Sequence, residues 1–172
     1  MRRVVITGLG AVTPIGNDVE SYLKGLQEGK SGANLITKFD ASKFKTQFAC
    51  EVTDLDTEPY LDRREIRRMD EFSVFAMVAA EQAMKNSGLD LEKIDLDRTG
   101  VIWAAGIGGI GTIEEEITAY CEGDGTPRFN PFFVPKMIAD IAAGNISIRY
   151  GLRGINYATL SACASSTHAL MN

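Results

Sequence analysis

The sequence predicts an α/β domain of layered helices and mainly parallel strands. Three observations carry that expectation. Short apolar runs rich in β-branched residues at 4–7, 100–105 and 155–160 read as strands buried on both faces. Each is followed by a turn of glycines or other small residues and then by a helical pattern, the alternation of an α/β fold. No repeat or low-complexity tract interrupts the 172 residues, so one domain with one core is expected.

Val4, Val5, Ile6 and Thr7 form the first expected strand, and Gly8, Gly10, Pro14 and Gly16 mark the turn after it. Asn17 or Asp18 stands at the N-cap of a helix over 19–28, closed by Gly29. Residues 30–60 lack a clear period and read as a structured insertion, with 48–52 as a candidate strand. Over 70–87, Phe72, Phe75, Ala76, Ala79, Ala80 and Ala83 recur at helical spacing on one stripe. Its four alanines imply a closely approaching neighbour, and Gly88 ends the helix.

The strand over 100–105 leads through the glycines of 106–111 into a helix over 112–122. A further helix is expected from Pro135, a residue suited to the first helical position, to Tyr150, with Gly151 after it. The strand over 155–160 then runs through Ser161-Ala162-Cys163-Ala164-Ser165-Ser166 into a last helix.

Composition excludes several function classes. With 45% hydrophobic and 24% charged residues the chain has the make-up of a soluble globular domain. A net charge of −5 argues against a nucleic-acid binder. No apolar run approaches the roughly 20 residues that span a bilayer. Gly8 and Gly10 cut the apolar start too short for a secretory segment, so a cytoplasmic, non-membrane protein is expected. Cys50, Cys121 and Cys163 have neither metal-ligand spacing nor an even count and are expected to be free thiols. With one histidine, no metal site is expected.

Gly106-Ile107-Gly108-Gly109-Ile110-Gly111 satisfies the dinucleotide spacing G-x-G-x-x-G. The second strand with its acidic end is missing, because the region about 20 residues on is a turn around Gly123 and Gly125. Glu114, Glu115 and Glu116 are expected in the first turn of the helix, where they would repel a pyrophosphate. The glycines are therefore read as a tight turn that lets backbone approach a substrate channel.

Cys163 follows a strand and precedes a helix, so its sulfur is expected to face free backbone N–H groups and the positive end of a helix dipole, a setting that stabilises a thiolate. Small neighbours let a substrate carbonyl come close, and the same N–H groups would serve as an oxyanion hole. This is the layout of a nucleophile elbow, whereas Cys50 and Cys121 lack the context and read as structural. His168 lies five residues on, about 140° out of phase and about 7.5 Å along a helix, so it reads as a hydrogen-bonded packing residue rather than the partner of the sulfur. Arg63, Arg64, Arg67 and Arg68 cluster on a short helical turn. Composition leaves open whether they form a solvated face or a patch that steers an acidic partner.

Val4-Val5-Ile6-Thr7-Gly8-Leu9-Gly10, Thr13-Pro14-Ile15-Gly16-Asn17, Gly106-Ile107-Gly108-Gly109, Pro131-Phe132-Phe133-Val134-Pro135, Tyr150-Gly151-Leu152-Arg153-Gly154 and Ser161-Ala162-Cys163 together resemble the β-ketoacyl-acyl-carrier-protein synthases, most closely the type II enzymes. The resemblance runs in order through essentially the whole chain. It implies a thiolase-like layered α/β fold of two similar halves, of which residues 1–172 are the N-terminal half, ending soon after the nucleophile.

The resemblance also implies a homodimer with no cofactor that takes an acyl group from acyl-carrier protein onto Cys163. The acyl group is then condensed with decarboxylated malonyl-carrier protein. Ile107 matches a residue lining the acyl pocket, and Phe133 and Val134 match a segment closing it from the neighbouring subunit. Arg64, Arg67, Arg68 and Arg128 match positions facing the acidic carrier. Two histidines and a lysine that the family uses for decarboxylation belong to its second half, so the 172 residues alone are expected to accept an acyl group at most. A polyketide-type or acyl-CoA-using acyltransferase, and a non-catalytic half that only dimerises or binds carrier, are the alternatives.

Overall fold

The structure, a computed structural model, describes residues 3–172. In chain order the elements are α1 (Val19–Gln27), β1 (Asn34–Leu35), β2 (Phe48–Ala49), α2 (Arg63–Arg67), α3 (Glu71–Ser87) and β3 (Val101–Ala104). Then follow α4 (Ile110–Glu122), α5 (Phe133–Met137), α6 (Ile141–Tyr150), β4 (Asn156–Thr159), a 3₁₀ turn (Ala162–Ala164) and α7 (Ser165–Met171). They fall into two compact units, Met1–Pro59 with Val78–Gly88, and Tyr60–Met77 with Leu89–Asn172.

In the first unit, Asp18 caps α1 by accepting from the Ser21 N–H, and the Ser21 hydroxyl closes the box on the Asp18 N–H. Gly29, at φ +64°, follows the end of the helix as expected. The segment 30–60 holds the short antiparallel pair β1–β2 and is pinned by Thr37 Oγ1 donating to Glu51 at 2.6 Å. The expected strand over 48–52 is reduced to Phe48–Ala49.

The four-alanine expectation for α3 is met. A Cβ on Gly8 would lie 2.3 Å from the Ala83 carbonyl oxygen, and one on Gly10 would lie 1.9 Å from that of Ala79. Leu9 and Ala11 donate their N–H groups to Asn86 and Gln82 of the same helix. The strand expected over 4–7 does not form, because no strand pairs with it among the described residues, and Val4 and Ile6 are exposed. The residues after it, 8–11, run along α3.

The second unit is built on β3 and β4, which pair in parallel from Val101↔Asn156 to Ala104↔Thr159. Gly100 and Gly154 lie at the start of the pair, where a Cβ on Gly100 would meet the Ile155 carbonyl oxygen at 2.2 Å. Helices α6 and α7 pack on this pair, and Ala142, Ala143 and Ile146 are the buried residues of α6.

Burial on α3 corrects the one-stripe expectation. Ser73, Val74, Ala76, Met77, Val78 and Ala80 are buried while Phe72 and Phe75 are only half-buried, so the helix is enclosed on several faces. The single helix expected over 135–150 is two. Ile138 is extended (ψ 136°), and the Met137 carbonyl accepts from the Gly109 N–H at 3.0 Å. The Ile141 N–H turns to Ile138 instead, which ends α5 and starts α6 afresh.

Candidate active site

Cys163 sits in the 3₁₀ turn between β4 and α7, and its side chain is exposed. The residue before it, Ala162, has φ +49°, a left-handed conformation that costs a non-glycine residue roughly 1–2 kcal/mol. The strand, the sharp strained turn, the cysteine and the helix are thus all present in the expected order. Neither the thiol nor the backbone N–H of Cys163 has a hydrogen-bond partner among the described residues, so a donor is available at the thiol. Cys50 and Cys121 are also free and exposed, so exposure alone does not single out Cys163.

His168 follows the phase argument in direction and departs from it in environment. Its Nδ1 lies 2.5 Å from the Ser161 hydroxyl oxygen, and no hydrogen bond joins it to Cys163 among the described residues. It is exposed rather than packed, because its ring reaches back over the turn. Ser165, read from sequence only as a small neighbour, is 3% exposed and accepts from the Ser161 N–H at 2.8 Å. It also donates to the Ala162 carbonyl at 2.7 Å. A serine in the first turn of a helix tends to bond back to the carbonyl three residues earlier, and that signal was available in the sequence.

Ile107 is exposed on the turn that leaves β3, and Gly108 there has φ +92°. The turn lies against α5: a Cβ on Gly108 would meet the Met137 carbonyl oxygen at 2.6 Å, and one on Gly109 that of Lys136 at 2.5 Å. Ile107 is therefore carried next to the helix bearing Phe133 and Val134. Val134 is exposed, and Phe133 is half-buried and stacked on Phe129 at 5.7 Å between centroids.

Helix α4 begins at Ile110, two residues before expectation, so Glu114, Glu115 and Glu116 lie beyond its first turn. The carboxylate that occupies its start is Asp70. Oδ2 accepts from the Thr112 N–H at 3.2 Å and from the Thr112 hydroxyl at 2.6 Å. A negative charge already fills the position a pyrophosphate would need, which disposes of the dinucleotide reading on firmer ground than the glutamates did.

Helix α2 presents Arg63, Arg64 and Arg67 to solvent, with Arg68 exposed just after it. Glu65, the nearby acid, faces away from them: Arg149 donates to it at 2.5 Å, and its other oxygen accepts from the Asp62 N–H at 2.9 Å. Among the described residues none of the four arginines forms an ion pair, although the Asp62 carboxylate at the N-cap of α2 lies close enough to feel the Arg64 and Arg68 charges, so the patch stays net positive. The Arg68 guanidinium lies over the Phe132 ring at 5.1 Å, at the entrance to α5. Arg128 is exposed and contacts Asp124 at 3.5 Å. No cluster of side chains suited to a metal ion is present among the described residues, and no helix there is long and apolar enough to cross a membrane.

Residues 1–172 match the family described as Beta-ketoacyl synthase, N-terminal domain. The chain is 43% identical over 169 residues to a protein named 3-oxoacyl-[acyl-carrier-protein] synthase 2 from Synechocystis, covering 98% of this chain and 40% of the relative. It is 45% identical over 167 residues to one of the same name from Coxiella burnetii, covering 97% and 40%. The chain thus spans about 40% of the length of these curated relatives. Among solved structures, a type II polyketide acyl-carrier protein in complex with its ketosynthase matches with TM-score 0.80 and 29% identity, over 99% of this chain and 45% of that one. A β-ketoacyl synthase from Burkholderia phymatum matches in fold with TM-score 0.81 at 24% identity, over 99% and 42%. The fold is the thiolase-like α/β fold.

Proposed function

This chain belongs to the β-ketoacyl synthase N-terminal domain family, and from that premise we propose that it is the acyl-accepting part of a fatty-acid condensing enzyme with Cys163 as nucleophile. The observation that carries the reading is the Cys163 turn: an exposed thiol after a strained residue, with its own N–H free beside it. The thiolate attacks the thioester carbonyl of acyl-carrier protein, and the developing oxyanion takes the Cys163 N–H. The carrier's thiolate leaves, and the acyl group remains as a thioester on Cys163. In the complete enzyme a carbanion from malonyl-carrier protein then attacks that thioester, giving 3-oxoacyl-carrier protein and freeing the sulfur.

Ile107, Phe133 and Val134 line the acyl pocket in this reading, supported by the packing of the glycine turn on α5. Arg64, Arg67, Arg68 and Arg128 dock the acidic carrier, supported by their exposure in a chain of net charge −5. The enzyme acts in the cytoplasm as a homodimer and requires no cofactor. The 43% and 45% identities to fatty-acid-type synthases, against 29% to the polyketide ketosynthase, favour fatty-acid over polyketide substrates.

The test is to incubate the chain with acyl-carrier protein bearing a labelled acyl group and to locate the label by peptide mass spectrometry. Label at Cys163, abolished by Cys163→Ser, is expected. Label at Cys50 or Cys121 instead, or undiminished label in Cys163→Ser, would overturn the assignment.

A further inference from the structure

The side chain beneath the nucleophile turn belongs to Ser165, and its hydroxyl bonds both to the residue before the turn, Ser161, and to the first residue of the turn, Ala162. Its oxygen accepts from the Ser161 N–H at 2.8 Å, and its hydrogen is donated to the Ala162 carbonyl at 2.7 Å. The Ser161 N–H has no other acceptor among the described residues. At 3% exposure the hydroxyl is shielded, so water does not readily replace it. Ser165 is itself held, since Thr159 Oγ1 donates to its carbonyl at 2.8 Å. Between the two bonded groups lies Ala162 at φ +49°, a conformation that persists only where its surroundings over-determine it.

We infer that Ser165 is a positioning residue for Cys163: its hydroxyl bridges the Leu160–Ser161 and Ala162–Cys163 peptide units, which bracket Ser161 and Ala162, and so holds the strained turn that sets the thiol and its N–H in place. The inference rests on the reading of Cys163 as the acyl acceptor. The bridge acts through the backbone and touches neither the thiol nor a substrate. Without it the Ser161 N–H is orphaned, Ala162 relaxes toward negative φ, and Cys163 rotates with it. A serine that only stabilised α7 would alter the melting temperature and leave the folded protein's thiol chemistry alone.

The experiment is site-resolved alkylation of the 172-residue chain by iodoacetamide, followed by mass spectrometry, with Cys121 as internal reference. Ser165→Ala is expected to slow Cys163 alkylation about tenfold, the rate equivalent of the strain energy of one such residue, with Cys121 unchanged. Ala162→Gly supplies the second arm, because glycine takes φ +49° without strain. In that background Ser165→Ala should cost Cys163 no more than about threefold, the remainder left by the lost bridge once the strain is gone.

Wild-type alkylation in folded Ser165→Ala overturns the inference, and so do equal losses with and without the Ala162→Gly substitution. If Ser165→Ala does not fold, folding of Ala162→Gly/Ser165→Ala with near wild-type Cys163 reactivity supports the bridge, and failure of the double variant to fold refutes it. Acyl transfer from carrier protein is measured separately. An unacylated wild type whose alkylation still depends on Ser165 would end the acyl-acceptor reading and leave the bridge standing. Normal acylation with no dependence on Ser165 would do the reverse.

Discussion

Asp70→Ala tests whether the glycine turn bearing Ile107 is held from a distance. The carboxylate takes the Thr112 hydroxyl at 2.6 Å, the Thr112 N–H at 3.2 Å and the Phe72 N–H at 3.3 Å, while its carbonyl accepts from Ser73 and Val74 at the start of α3. Thr112 is 4% exposed, so its hydroxyl has no ready access to water once the carboxylate is gone. A hydrogen bond to a charged group contributes about 1.5–3 kcal/mol net, and stranding a buried hydroxyl costs about 1–3 kcal/mol. These overlap, and the loss should be about 2–4 kcal/mol, a large share of a small domain's stability. Urea unfolding followed by circular dichroism measures it. Thr112→Val completes a double-mutant cycle, in which Asp70→Ala should cost at least about 1 kcal/mol less than it does with Thr112 intact. A loss below about 0.5 kcal/mol for Asp70→Ala, or additivity within about 0.5 kcal/mol, refutes the clamp.

Gly10→Ala should destabilise the first unit by about 3 kcal/mol or more, because the new Cβ would lie 1.9 Å from the backbone oxygen of Ala79. Gly29→Ala, with φ +64° and open space around it, should cost only about 1 kcal/mol in the same unfolding assay, and equal losses would refute the packing argument. Arg67→Glu/Arg68→Glu should weaken acyl-carrier protein binding by at least about 1 kcal/mol in calorimetric titration, an effect that shrinks as salt rises. Equal affinities at low salt would leave the arginines a solvated face.

The Asp62 carboxyl is held below its ordinary value of 3.8 by hydrogen bonds from the Glu65 and then the Arg64 N–H. Its contribution to α2 is therefore complete above that value and lost as pH falls through the lower folded one. The Arg64 and Glu65 amide resonances should titrate with a midpoint below 3.8, and a midpoint at or above it would contradict the cap.

What the sequence made legible was local. The Asp18 cap, Gly29 and Gly88 as helix stops, and the close approach to the α3 alanines all follow from residues a few positions apart or from small side chains in series. What it hid was set by distant partners. No proline or glycine marks the break between α5 and α6, because the break arises where the Met137 carbonyl leaves the helix ladder for the Gly109 N–H. The start of α4 is hidden for the same reason: Gly109 has no side chain to cap with, and Asp70 caps the helix from 42 residues away. Residues 4–7 have the composition of a strand but lack a paired neighbour among the described residues, and a strand is defined by its neighbour. At the site, the placement of Cys163 is legible because strand, turn and helix follow one another in sequence there. The role of Ser165 lies in its hydroxyl, whose two partners, the Ser161 N–H and the Ala162 carbonyl, are brought together only by the turn.

The two halves of a condensation ask for different groups, which bounds what these residues do by themselves. Acyl transfer needs a nucleophile and a donor for one oxyanion, and in the proposed reading Cys163 and its unpartnered N–H would supply both. Decarboxylation of a malonyl thioester leaves negative charge on the thioester oxygen and needs further donors aimed there. The sequence holds one imidazole, and Nδ1 of that His168 is committed to the Ser161 hydroxyl at 2.5 Å. Turning the ring toward a substrate would break that contact with Ser161. The chain as it stands should therefore gain the mass of an acyl group from acyl-carrier protein and release no carbon dioxide from malonyl-carrier protein above the uncatalysed rate. Catalysed release that His168→Ala abolishes would show that the ring serves decarboxylation after all, and that its bond to Ser161 is given up during the reaction.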